Sequence, residues 1–245
     1  MVKYFLLIFV LFGLFSCEVL NETLNSVTIN QSEVSSKPSL SNEEVISGLR
    51  EALNVGITNS VALTSVTDGF LKNNEIRLPF PPSAQKVKDK ALEWKLNAQV
   101  EKFETTLNRA AEEAAKEALP IFIDAIKNMS VQDGFVILKG GDGAATKFLK
   151  EQTTTKLVTA FSPKVKSATS KVELTKYWSP IITKYNGAMT LTGGEKIDPD
   201  LDAYITQKAI EGLFYMVEKE ENKIRKDPVA RVTDLLAKVF GSLTN

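Results

Sequence analysis

The chain has 245 residues, with 30 Lys+Arg against 30 Asp+Glu, no histidine and one cysteine. Balanced charge gives it no global attraction to nucleic acid or anionic lipid. Without histidine, Ser-His-Asp and Cys-His catalysis are closed, which leaves carboxylate chemistry, lysine chemistry, an oxygen-ligand metal site or no chemistry.

The sequence opens MVKYFLLIFVLFGLFSCEVLNE. Lys3 precedes an apolar run from Tyr4 to Phe15. That run is too short to span a hydrocarbon core of about 30 Å, but it suits the apolar region of a signal peptide. Leu14-Phe15-Ser16-Cys17 resembles the bacterial lipobox. The resemblance implies that residues 1–16 are a lipoprotein signal peptide, that the chain is cut before Cys17, and that the thiol and new amino group carry acyl chains of the palmitate class. More than one such chain gives stable anchoring. Glu18 stands where enteric lipoproteins retained at the inner membrane carry Asp, so the expected address is the periplasmic face of the outer membrane. A lone cysteine cannot form an intramolecular disulfide in an exported domain, which fits acylation. Acylation also removes the usual zinc sites. No cofactor, no metal and no nucleic-acid partner is expected.

Residues 17–40 read as a tether. Glu18 to Pro38 is rich in Ser, Asn, Thr and Glu and lacks a sustained apolar period, so it cannot bury a core. About 20 such residues span roughly 25 Å.

Residues 41–245 read as an all-α domain, one irregular multi-helix bundle with an extended proline-containing loop. Ser41 with Glu44 predicts a capping box, followed by Val45, Leu49, Ala52 and Leu53 on one face. The prolines of NEIRLPFPP, Pro79, Pro81 and Pro82, predict an extended segment. Ser83 predicts the cap of a second helix carrying Val87, Ala91 and Trp94. Val100, Phe103, Leu107, Ala110, Ala111, Ala114 and Ala118 then recur at helical spacing, with alanines small enough to admit a close neighbour. Pro120 predicts a kink or break, after which Phe122, Ile123, Ile126 and Met129 resume the pattern. FVIL at 135–138 is ambiguous between helix and strand. Ser162-Pro163, Ser179-Pro180, Asp198-Pro199 and Asp227-Pro228 each predict a helix start with proline at its first position. Leu201, Ile205, Ala209, Leu213, Met216, Val217 and Ile224 share one face of a later helix. Val232, Leu235, Leu236, Val239 and Phe240 share one face of the last, with Gly241 as its stop.

Three long stretches, ALNVGITNSVALTSVTDGFLKNNEIRLPFP, FETTLNRAAEEAAKEALPIFIDAIKNMSVQDGFVILKGGDGAATKFL and KAIEGLFYMVEKEENKIRKDPVARVTDLLAKVFG, resemble the bacterial family catalogued as domain of unknown function 4197 (DUF4197). The resemblance covers nearly everything after Ser41. The family pattern has Asn where this chain has Asp227, and both residues cap helices. No established activity comes with the family.

Three stretches carry candidate chemistry. KGGDGAAT, from Lys139 to Thr146, resembles a phosphate loop opening a helix, but Asp142 at the expected cap repels an anion, so helix stop, turn and cap is the preferred reading. NRAAEEAAKE sets Arg109, Glu112, Glu113 and Glu117 on one helix, with Arg109–Glu113 at i, i+4. It reads as a solvated face, or as a lone carboxylate acid of the muramidase kind. In TDGFLKNNEIRLPFP, Arg77 stands between Ile76 and Leu78. Asp68, Arg225, Arg231 and Asp234 are its candidate neighbours, in buried ion pairs that pin loops, the preferred reading, or in an anion-binding cleft; the third reading is plain surface. The function these features support is a non-enzymatic envelope protein, held to the membrane by its lipid anchor, that binds an envelope protein or a small anionic ligand. The alternatives are a carboxylate-dependent hydrolase of cell-wall glycan and a carrier of lipid or another apolar ligand.

Overall fold

A computed structural model describes residues 41–171, 174–197, 201–231 and 233–241. Cys17, the tether, Asp198-Pro199 and Val232 lie outside the described residues. Within them the regular elements are α1 (Asn42–Thr64), a 3-10 turn (Pro82–Ala84), α2 (Gln85–Glu93), α3 (Asn97–Ala115), α4 (Ala118–Lys127), α5 (Val131–Lys139), α6 (Ala144–Lys171), α7 (Leu174–Thr192), α8 (Asp202–Lys226), a second 3-10 turn (Pro228–Ala230) and α9 (Asp234–Gly241). No strand occurs among the described residues.

The predicted capping box opens α1: Ser41 Oγ receives the Glu44 N–H at 3.2 Å, and Glu44 receives the Ser41 N–H at 2.9 Å. A second box at Ser130 and Asp133 opens α5, which makes FVIL helical. The expected break before Pro120 falls at Lys116 and Glu117, between α3 and α4. Pro120 then lies in the first turn of α4, where no intrahelical donor is needed. Asp227 receives the Val229 N–H at 2.9 Å and so caps the second 3-10 turn.

Three expected helix starts differ. α2 opens at Gln85, with Ala84 at the cap position and no side-chain cap bond, because the Pro82–Ala84 turn runs directly into it. Pro163 lies inside α6 and Pro180 inside α7. An interior proline removes one ladder bond and costs about 3 kcal/mol. Burial offsets that cost: Leu157, Phe161 and Val165 form one buried stripe across Pro163, and Ile181 and Ile182 are buried just after Pro180.

α8 is the hub. It packs on α6, α1 and α3, and α3 also packs on α6. Its predicted face, from Leu201 to Ile224, is buried throughout, as are Ala110, Ala111, Ala114 and Ala115 of α3. α1 is covered in turn by α4 and α9. Two glycines set how closely the layers approach. A Cβ on Gly212 of α8 would lie 2.7 Å from the Phe70 ring, and one on Gly134 of α5 would overlap Ile46.

Candidate functional site

The candidate ionic residues fall into separate junctions. At the first, the chain leaves α1 through Asp68, which adopts φ +70°, a left-handed conformation that Asp tolerates better than most residues. Gly69 follows, where a Cβ would overlap the Leu63 carbonyl oxygen. The turn delivers Phe70, fully buried, against Gly212. Glu112 of α3 locks it. Its Oε1 receives the Phe70 and Leu71 N–H groups at 3.1 and 3.2 Å, and its Oε2 receives Arg109 at 2.6 Å. Arg109 also donates to Asp68 at 2.6 Å. Lys72 and then Arg109 hold the Asp68 carboxyl below the usual carboxylate range. The bonds it donates to Glu112 and then to Asp68 hold the Arg109 guanidinium above its usual value.

Arg77 joins none of this. Its side chain is 44% exposed and pairs with Glu104 at 3.0 Å; Lys88 takes the other Glu104 oxygen at 2.6 Å. The expected burial of Arg77 is therefore corrected. Alternation along the extended segment sends Ile76, Leu78 and Phe80 inward and Arg77 outward. Glu113 likewise faces solvent and pairs with Lys116, so the acid that Arg109 engages is three residues away, not four.

The second junction holds the glycine-rich loop. Gly141 and Gly143 take φ +74° and +73°. Asp142 is not the cap of α6; it pairs with Lys226. The free N–H groups at the start of α6 are met from α8 instead. Asn222 receives Gly143 at 3.2 Å, and Glu221 receives Ala145 at 3.0 Å and Thr146 at 2.9 Å, with the Thr146 hydroxyl at 2.8 Å. An internal carboxylate thus fills the place a phosphate would take. Arg225 binds Glu221 at 2.9 Å and reaches the Ile137 carbonyl at the end of α5, also at 2.9 Å. Arg231 donates to the Ile224 and Arg225 carbonyls and closes the end of α8. Asp234 is exposed in the first turn of α9. Arg225 and Arg231 are engaged at the helix ends beside them and Asp234 lies exposed in the first turn of α9, so the acid that pairs with Arg77 is Glu104 rather than the neighbours expected.

The chemistry open to these acids is narrow. Glu112 and Glu221 are buried, and both oxygens of each are engaged by N–H or O–H donors. Among the described residues no group of three or more acidic, Cys or His side chains is arranged to hold a metal ion, and no helix is long and apolar enough to cross a membrane. The apolar cavity between α1 and α8, lined by Leu49, Leu53, Ile57 and Val217, is about 20 Å3, room for about one water and not for a lipid.

The larger opening is a groove of about 830 Å3 between α2, α7 and the segment after α7. Its wall carries Trp94, Tyr185 and Met189, and its rim Lys86, Asp89 and Glu195. Trp94 ends α2 half-buried, and Lys184 Nζ stands 4.0 Å from its ring centroid. Asn186 fixes the far edge. Its amide receives the Ile197 N–H at 2.9 Å and donates to the Ile197 carbonyl at 3.0 Å. Periodicity placed Trp94 on the apolar face of α2. That Trp94 faces a groove depends on Tyr185 and Met189 of α7, which stand far from it in the chain.

The class these features define is an all-α helical domain whose buried acids cap helices and turns and whose open groove is aromatic. The family model described as "Protein of unknown function (DUF4197)" matches residues 39–241, and the chain belongs to that family. No curated protein and no solved structure matches it.

Proposed function

We propose that the protein is a non-enzymatic binding protein of the bacterial cell envelope and that the groove beside Trp94 is its ligand site. The observation that carries this reading is the groove itself. Its volume lies in the range of small-molecule sites, and its wall pairs the half-buried Trp94 at the end of α2 with Tyr185 of α7, which is buried in the core. The rim mixes ammonium and carboxylate groups, which suits a neutral or zwitterionic polar ligand with apolar faces, such as a peptide-bearing glycan fragment, over a polyanion. Catalysis on glycan finds less support, because Glu112 lacks a free oxygen and Glu113 is exposed and ion-paired. Isothermal titration with purified muropeptides tests the reading. Wild type should bind and Trp94→Ala should lose most of the affinity while melting at a similar temperature. Absence of heat with every fragment would remove this ligand class.

The lipobox supports an address: cleavage after residue 16, acylation of Cys17 and anchoring at the periplasmic face of the outer membrane. Labelling with a fatty-acid analogue should appear in wild type and vanish in Cys17→Ser. Equal labelling of the two proteins would overturn it.

A further inference from the structure

We propose that Asn186 is a positioning residue that sets the selectivity of the groove beside Trp94. Its amide clasps the segment after α7 as the far wall of the groove, and that wall carries Glu195, the carboxylate that receives an ammonium group of the ligand. The inference rests on the reading of this groove as the ligand site.

The wall is short and is held at two points. α7 stops at Thr192, and Gly193 takes φ +73°, the left-handed turn that commonly ends a helix. Gly194 then donates its N–H to the Met189 carbonyl at 3.0 Å, the six-to-one bond of that motif. A Cβ on Gly194 would lie 2.5 Å from the Met189 sulfur, so the chain passes close over a side chain of the groove wall. The second point is Ile197. Asn186 receives its N–H at 2.9 Å and donates to its carbonyl at 3.0 Å. One amide side chain offers both the acceptor and the donor that a residue's backbone requires. Only Glu195 and Lys196 lie between the two points, so the backbone there has little freedom.

That restraint decides which charge meets the groove. Gly194, Glu195 and Ile197 line it from the wall, with Lys86, Asp89 and Trp94 on the α2 side. Ile197 packs against the core. Glu195 is exposed and, like Lys86, has no hydrogen-bond or ion-pair partner among the described residues. The other rim charges are engaged: Lys90 pairs with Glu93 at 2.6 Å, and Asp89 accepts from Gln85 at 3.1 Å. The groove therefore presents an unpaired ammonium on α2 and an unpaired carboxylate on the wall, and the clasp sets where the carboxylate stands. Residues 193–196 are exposed, so releasing them should leave the core intact.

Two measurements on the intact chain test this. The first needs no ligand. Asn186→Leu should speed hydrogen exchange of the Ile197 N–H by about 10-fold or more and leave the Ile182 N–H unchanged; equal exchange at Ile197 in the two proteins would overturn the clasp. The second compares a muropeptide that has a free amine on its peptide with the same fragment N-acetylated there. Wild type should prefer the free amine by about 3- to 5-fold, the upper range of an exposed ion pair. Glu195→Gln should abolish the preference and leave binding of the acetylated fragment unchanged. Asn186→Leu should abolish it too, and adding Glu195→Gln to Asn186→Leu should change nothing more, a coupling that a merely structural asparagine would not show. Binding that is lost in Trp94→Ala while Glu195→Gln keeps the amine preference would overturn this proposal and leave the groove as the ligand site. Absence of binding by wild type to both fragments would remove the ligand class and the amine selectivity with it, whatever Ile197 exchange shows.

Discussion

The side chain of Asn108 pairs with the backbone of Leu78 as a neighbouring strand would. Its Oδ1 receives the Leu78 N–H at 2.8 Å, and its Nδ2 donates to the Leu78 carbonyl at 3.0 Å. Both residues are buried. One amide therefore supplies the polar partners that an extended segment needs inside a helical bundle, and Tyr204 adds a bond to the next carbonyl, that of Pro79, at 3.0 Å. Asn108→Leu leaves a buried donor and a buried acceptor unpaired, each worth about 1–3 kcal/mol. Urea unfolding should show a loss of roughly 2–4 kcal/mol; a loss below about 0.5 kcal/mol would mean the segment finds other partners.

Glu112 and Arg77 should respond oppositely to truncation. Glu112→Ala leaves the Phe70 and Leu71 N–H groups without their acceptor and Arg109 with Asp68 alone, so about 2–4 kcal/mol should go. Arg77→Ala breaks an exposed pair and should cost no more than about 1 kcal/mol. The two denaturation curves, measured side by side, decide whether the Asp68–Arg109–Glu112 junction is the anchor of this turn.

Two glycines make a matched test of packing. A Cβ on Gly56 would meet Glu220 Cβ and Ile224 Cδ1 at 3.7 Å, an ordinary contact, beside the small cavity under α1. Gly56→Ala should raise stability by about 0.5–1 kcal/mol through helix propensity. Gly134→Ala should lower it by roughly 1–3 kcal/mol, because the new methyl overlaps Ile46 in a packed core. Calorimetric melting temperatures that move in the same direction would contradict this.

Stability should be flat near neutrality and fall at both extremes. The chain has no histidine, so no side chain has an ordinary titration near pH 6–7. The Asp68 carboxyl is held down chiefly by Lys72, that of Asp124 by Lys156 and that of Asp133 by the Ser130 hydroxyl. A folded pKa below the unfolded one contributes stability above about pH 4, the ordinary Asp value, and that contribution is lost as pH falls through the folded pKa. Tyr204 works the other way. Burial, and then the Glu211 charge, push its phenol up to about 12. Its contribution is complete below about pH 10 and is lost as pH rises toward 12. Urea midpoints across the range should form a plateau from about pH 5 to 9; a step near pH 7 would show a titrating group outside this account.

How much was legible in the sequence follows from the range of each interaction. The capping box at Ser41 and Glu44 spans three residues, so its pattern in the chain is the structure itself. The alanine face of α3 and the buried face of α8 are periodic, and burial followed the period. The break before Pro120 came from covalent geometry. Pro163 and Pro180 obey the same local rule and were misplaced by it, because the stripe through Leu157, Phe161 and Val165 carries α6 past Pro163 and burial of Ile181 and Ile182 holds α7 together after Pro180.

The ionic residues show the limit most clearly. Arg109 and Glu112 were recognisable as a group on one helix, yet their partner backbone at Phe70 lies 42 residues from Glu112. Glu221 was not singled out at all, and it binds the start of α6 across 75 and 76 residues. The Trp94 groove depends on helices that meet only after folding. Composition and local periodicity determined that this protein is helical, that histidine catalysis is closed to it, and where most of its core lies. Which carboxylate is consumed in capping and which surface stays open were decided by tertiary packing, because a charged group goes to whichever orphaned donor the packed helices bring within reach.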